Sequence, residues 1–126
     1  MNPERIESGE VLFRAVQQHP GLWRGDRPSS LLFRNTAGVS VDRDGERSEA
    51  DICEFIQSNL SAYRLKAVVS VTAAACQYIG VLAIPKPITS NQFQAEIHES
   101  ESQVLISKAK ARELALHCRI VKSLCD

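Results

Sequence analysis

The sequence has no net charge. Its fifteen Lys and Arg cancel its fifteen Asp and Glu. No overall field therefore draws the chain to nucleic acid or to an anionic membrane, and only a local patch is left for either. The sequence also lacks a C-x-x-C pair. Cys53, Cys76, Cys118 and Cys125 have neither the spacing of structural zinc nor that of a disulfide framework, a pattern that points to reduced thiols in the cytoplasm. Repeats and low-complexity tracts are absent. The first ten residues, MNPERIESGE, lack the apolar stretch of a secretion leader.

What is present is one long charge-free run between Lys66 and Lys86. Ala67, Val68, Val69, Ser70 and Val71 read as a strand buried on both faces. Thr72 is a good N-cap for a two-turn helix ending at Ile79, where Gly80 supplies the left-handed C-terminal residue. Val81 to Ile84 form a second apolar strand that Pro85 stops. The run approaches the ~20 residues of a membrane span, but Ser70, Thr72, Gln77, Tyr78 and Gly80 interrupt it, which argues against one.

Around this centre the chain reads in order. Residues 1–10 form a flexible lead-in to a single α+β domain over residues 11–126. Val11 to Val16 are a first strand, with Arg14 facing away from Phe13. His19-Pro20-Gly21 breaks this strand, and Leu22 to Thr36 are irregular, although Trp23, Leu31, Leu32 and Phe33 are too apolar to stay free. In Gly38 to Asp42 the two valines face one side, and Ser40 and Asp42 the other. Ser48 caps a helix whose buried stripe is Ile52, Phe55, Ile56 and Leu60. Phe93 to Ile97 alternate as a half-buried strand, a last helix ends at His117, and Ile120 and Val121 suggest a short final strand. With links too short for helical crossovers, the expected fold is α+β, with a mixed, largely antiparallel sheet of about five strands and two main helices.

Three residues carry the main enzymatic possibility. Arg14 lies on an early strand, Ser40 on a later one and Glu96 on a late one, all at polar positions. This order resembles the Arg–Ser–Glu layout of ADP-ribosyltransferase folds. The resemblance implies NAD as cofactor, with Arg14 on its phosphate or ribose, Ser40 bracing the site and Glu96 bonding the nicotinamide ribose as its glycosidic bond ionises. Two details depart from that family. Val39-Ser40-Val41 stands in place of a Ser/Thr-rich triplet, and Gln94 with Glu96 only partly matches its acidic pair. The segments LFR, RPSSLLF, GVSVDR and AEIH are, in this order, similar to small bacterial proteins, which implies one compact domain in a bacterial cytoplasm.

Other groups carry other expectations. Arg24, Arg27, Arg34, Arg43 and Arg47, with Trp23 and Phe33 among them, suit a nucleotide or RNA. Asp26, Asp42, Asp44 and Glu46 lie in the same segment and oppose that reading. His98 shares a strand face with Glu96 and is a candidate base. His117 and Cys118 point about 100° apart on a helix, a poor catalytic pair. No spacing favours a metal. The leading expectation is a binding domain that takes a protein partner or a second copy of itself. Its surface would be Arg14, Ser40, Asp42 and Arg43, or the backbone of the Phe93 to His98 strand if that strand is a sheet edge. Arg14, exposed or facing a cleft, is expected to tolerate alanine.

Overall fold

The run from Leu65 to Pro85 folds as strand, helix and strand in a computed structural model that describes residues 1–124. Cys125 lies outside the described residues. In chain order the strands are β1 (Val11–Gln17), β2 (Trp23–Arg24), β3 (Arg27–Pro28), β4 (Val39–Arg43), β5 (Leu65–Thr72), β6 (Leu82–Pro85), β7 (Gln94–His98) and β8 (Arg119–Ser123). The helices are α1 (Glu49–Asn59), α2 (Ala73–Ile79) and α3 (Lys108–His117), with single 3-10 turns at Pro20–Leu22 and Ser30–Phe33.

The helix ends follow the cap residues. The hydroxyls of Ser48, Thr72 and Ser107 accept the backbone N–H groups of Asp51, Ala75 and Lys110. Each satisfies a donor that a helix start leaves orphaned. Gly80 closes α2 at φ 91°, a conformation that costs glycine little.

Six strands form one antiparallel sheet in the order β6-β7-β4-β1-β5-β8, and β2 and β3 form a separate small hairpin. The fold is thus the expected α+β domain, with six main strands rather than about five and three helices. Strand β7 lies between β4 and β6. It is therefore no edge, because both its sides are already hydrogen-bonded. The edges are β6, which ends in Pro85, and β8, which carries Arg119 and Lys122. Proline and lysine on edge strands are standard obstacles to pairing with another chain.

The sheet has unequal faces. On one, α2, α3 and the Ser30–Phe33 turn cover the larger core, which includes Leu12, Val16, Val39, Val41, Val69, Val71, Ala95 and Ile97. On the other, α1 packs Ile52, Cys53 and Ile56 against Phe13 and Val68. Strand β5 thus serves both cores, as its unbroken apolar run requires. Helix α1 sits over β1, β5 and β8 only. On the β4-β7-β6 half of that face, the cross-strand pairs Ser40–Glu96 and Asp42–Gln94 are polar. Phe55 differs from expectation. It is half-buried, because it sits at the side of α1 that overhangs this polar half, while Cys53 takes the inner position. No described helix is long and apolar enough to cross a membrane.

Arg43 also departs from its expected place on a functional surface. It alternates onto the larger core face with Val39 and Val41, and is 1% exposed. It donates to both carboxylate oxygens of Glu10, at 2.6 and 2.8 Å, and to the carbonyl of Arg5 at 3.0 Å. Together with Ile6, which packs on the core, this pair fastens the residues before β1. Burial alone would raise the Glu10 carboxyl, but the bonds from Arg43 and from the Glu7 amide hold it below its ordinary value of 4.5.

Two predictions follow from this packing. Glu10→Ala leaves a buried guanidinium unpaired, and chemical denaturation should show a loss of about 3–5 kcal/mol at pH 7. A lowered native pKa means this contribution is complete above pH 4.5 and fades as pH falls further, so the gap to wild type should narrow in acid. Ile56→Ala should cost about 2–5 kcal/mol and Phe55→Ala clearly less. Equal losses would mean that Phe55 is a core residue after all.

Candidate functional site

The central pair of strands is joined over a very short length. Strands β1 and β4 pair only at Leu12–Arg43 and Phe13–Asp42. Beyond Phe13, β1 stays on β5 and β4 stays on β7, and the two part. Between them opens a cleft of about 260 Å³. Its lining draws on both sides of the sheet. Phe13, Ser40, Asp42 and Gln94 come from the α1 face, with Phe55, Ile56 and Asn59 from α1 itself. Leu22 and Leu32 come from the opposite side, where they belong to the larger core. The hollow therefore reaches into the sheet between two strands.

Arg14 spans this gap. It pairs with Val69, so its side chain leaves β1 on the larger-core face. There its Nε donates to the carbonyl of Leu32 at 2.9 Å, and its Nη1 to the carbonyl of Ser40 at 2.6 Å. The guanidinium thus bonds a β4 carbonyl where the β1 backbone has moved away. Its Nη2 has no hydrogen bond to the described protein, yet is not sealed from solvent. No carboxylate forms an ion pair with it among the described residues. Burial pushes its pKa down to about 10, so the group stays protonated at neutral pH.

Asp42 is the acidic side chain of the lining, and it is committed elsewhere. Its Oδ1 accepts from Asn91 Nδ2 at 3.0 Å. Its Oδ2 lies 3.8 Å from Arg47, too far for a hydrogen bond. Among the described residues, this Oδ2 is the one sealed side-chain oxygen or nitrogen without a partner. Burial accordingly raises the Asp42 carboxyl, and Asn91 and Arg47 oppose it. Arg47 is itself fixed, donating to the carbonyls of Asp44 and Arg43 and stacking 3.7 Å from the centroid of Phe93. Gly45 makes room for that ring, since a Cβ there would lie 2.4 Å from it.

The polar groups singled out from the sequence separate into distinct places. Arg14, Ser40 and Asp42 line the cleft, whereas Glu96 does not. Ser40 and Glu96 are cross-strand partners on the α1 face, and Arg14 leaves its strand on the other. Glu96 bonds His98 Nε2 at 2.8 Å, beside Gly38. The arginines do not gather on one face. Arg27 and Arg34 donate to the carbonyls of Ala115 and Ile106, Arg43 holds Glu10, and Arg24 is exposed on the small hairpin. Gln17, Asn59, Asn91 and Gln94 were not foreseen as cleft residues. Asn91 carried a signal in its turn-rich setting, Lys86 to Asn91, and Gln94 one as the partner of Glu96 in the partial motif, but Gln17 and Asn59 are ordinary surface amides in sequence.

Comparison with protein-family models, with curated proteins and with solved structures returned no match.

Removing the Arg14 side chain would orphan two carbonyls at the seam. Arg14→Ala should leave the protein folded but less stable by about 1–3 kcal/mol in urea unfolding. A change below about 0.5 kcal/mol, the range of ordinary surface substitutions, would mean that the guanidinium does not hold the seam.

Proposed function

We propose that the domain binds a small anionic ligand in the cleft between β1 and β4, with Arg14 as its anchor. The observation that carries this reading is a cation at the cleft that no carboxylate pairs, since Asp42 of the same lining is bonded to Asn91. Arg14 is half-buried and bonded only to neutral carbonyls, with Nη2 left over. Such a charge is held at an electrostatic cost that an anion would relieve. Arginine suits the task, because its planar fork can bond two oxygens of a carboxylate or phosphate.

The rest of the lining supports a polar ligand. The Ser40 hydroxyl and the side-chain amides of Gln17, Asn59 and Gln94 line the cleft and make no hydrogen bond within the described protein. Apolar walls with a few convergent polar groups are the usual composition of a small-molecule site. NAD chemistry by Arg14, Ser40 and Glu96 draws less support, because Glu96 lies outside the cleft and is bonded to His98. Self-association draws on the edges β6 and β8, which both carry residues that hinder pairing. Cys53, Cys76 and Cys118 are free thiols, and burial pushes Cys76 up to about 12. Unreactive reduced thiols support a cytoplasmic setting for this binding.

The test is a thermal-shift titration with phosphate, sulfate, small carboxylates and nucleotides. A ligand at a hundred times its Kd stabilises by about 2.7 kcal/mol, a shift of several degrees at this size. At least one anion should give such a shift, and Arg14→Gln should abolish it while Arg27→Gln, which does not line the cleft, leaves it intact. No shift with any anion, or equal loss in both variants, would overturn the reading.

A further inference from the structure

A second hollow of about 320 Å³ is lined by Phe55, Thr89, Ser90, Asn91, Gln92 and Phe93. Phe55 and Asn91 line both hollows, so the two are neighbours that share a wall beside α1. Taken alone, the first hollow lies below the ~300–1,000 Å³ of small-molecule sites, whereas the two together fall within that range.

The two ends differ in chemistry. The Arg14 end carries a cation that no carboxylate pairs. The far end has no charged side chain in its lining, but two aromatic rings, two hydroxyls and two carboxamides. Arg47 stacks on Phe93 and fixes that ring as the far wall. The Thr89 and Ser90 hydroxyls and the Gln92 amide have no hydrogen bond within the described protein, which leaves them for a ligand. Flat apolar surface beside neutral donors and acceptors suits a flat group with hydrogen-bonding edges.

Resting on the anion reading of Arg14, we infer that the ligand is a nucleoside 5′-monophosphate, with its phosphate on Arg14 and its base against Phe55 in the second hollow. Base packing on an aromatic ring is tolerant of base identity, and the unpaired Gln92 amide offers the edge contact that glutamine makes with adenine. The ribose would cross the shared wall, between Phe55 and Asn91.

Isothermal titration calorimetry of the whole chain with AMP, ribose 5-phosphate and inorganic phosphate tests this. AMP should bind roughly tenfold or more tightly than ribose 5-phosphate, the gain expected of one stacked base. Phe55→Leu should bring AMP down to the affinity of ribose 5-phosphate measured on the same variant. Ser90→Trp, which fills the second hollow from an exposed loop, should do the same and serves if the first variant fails to fold. Equal binding of AMP and ribose 5-phosphate to the wild type would overturn the base site and leave the anion reading standing. An AMP advantage that survives both variants would overturn the placement against Phe55. Failure of all three compounds to bind would remove a phosphate anchor at Arg14, and this inference with it.

Discussion

One guanidinium both separates and joins the middle of this sheet. Beyond Phe13 the β1 and β4 backbones no longer exchange hydrogen bonds, and Arg14 bridges the gap to the Ser40 carbonyl instead. A backbone ladder would have closed the same line with alternating donors and acceptors. A guanidinium offers only donors, and it brings a charge. The strands are held, but the seam contains a cation, a hollow and a spare N–H donor. Everything that makes this region a candidate site follows from that replacement.

The comparison with Arg43 shows why the spare charge is notable. Both arginines lie on the inner strands, on the same face of the sheet. Arg43 has Glu10 on two of its three guanidinium nitrogens and a carbonyl besides, so its charge is neutralised. That is a structural pair, strongly felt when broken and silent otherwise. Arg14 has two carbonyls and no carboxylate. Arg27 and Arg34 likewise bond carbonyls, yet Arg34 braces the Ile106 backbone and Arg27 the end of α3, each away from this cleft. Being an arginine is therefore uninformative here. What matters is whether the counter-charge is supplied by the chain.

This also explains what could be read from sequence. Periodicity and caps are local, so the strand-helix-strand core, the Ser48 and Thr72 caps, the Gly80 terminus and the alternation of Val39 to Asp42 were legible. Alternation gives a side chain's face but not its neighbour, so Arg14 was correctly opposed to Phe13 while its bond to Ser40 stayed hidden. Register across 26 residues of chain is a tertiary fact. Arg43 misled for the same reason, since nothing near it in sequence announces Glu10. Phe55 misled because a helical stripe defines a direction, and α1 covers only half of its sheet face. The outer residues decide contacts with whatever lies beside that half. The amides of Gln17 and Asn59 carry no sequence signal, because an unpaired amide is visible only once its surroundings are known.

The seam also divides the sheet mechanically. β6, β7 and β4 form one well-paired half, and β1, β5 and β8 the other. Across the middle run two residue pairs, the Arg14 bridge and the bond from the Asp44 amide to the Val11 carbonyl. On the larger-core face the halves share one apolar cluster, with Val39, Val41 and Ile97 from one and Leu12, Val16 and Val69 from the other. On the α1 face they share none, because Ile52, Cys53 and Ile56 pack within the β1-β5-β8 half. The sheet is thus glued from one side and open along the seam on the other. A ligand seated there would touch β1, β4 and α1 at once, and so bond across the line where the protein itself is least bonded. Its binding energy would then appear partly as added cohesion between the halves. Low local stability is a common property of segments that bind, and sparse bonding across the seam on the α1 face is the arrangement that would produce it here.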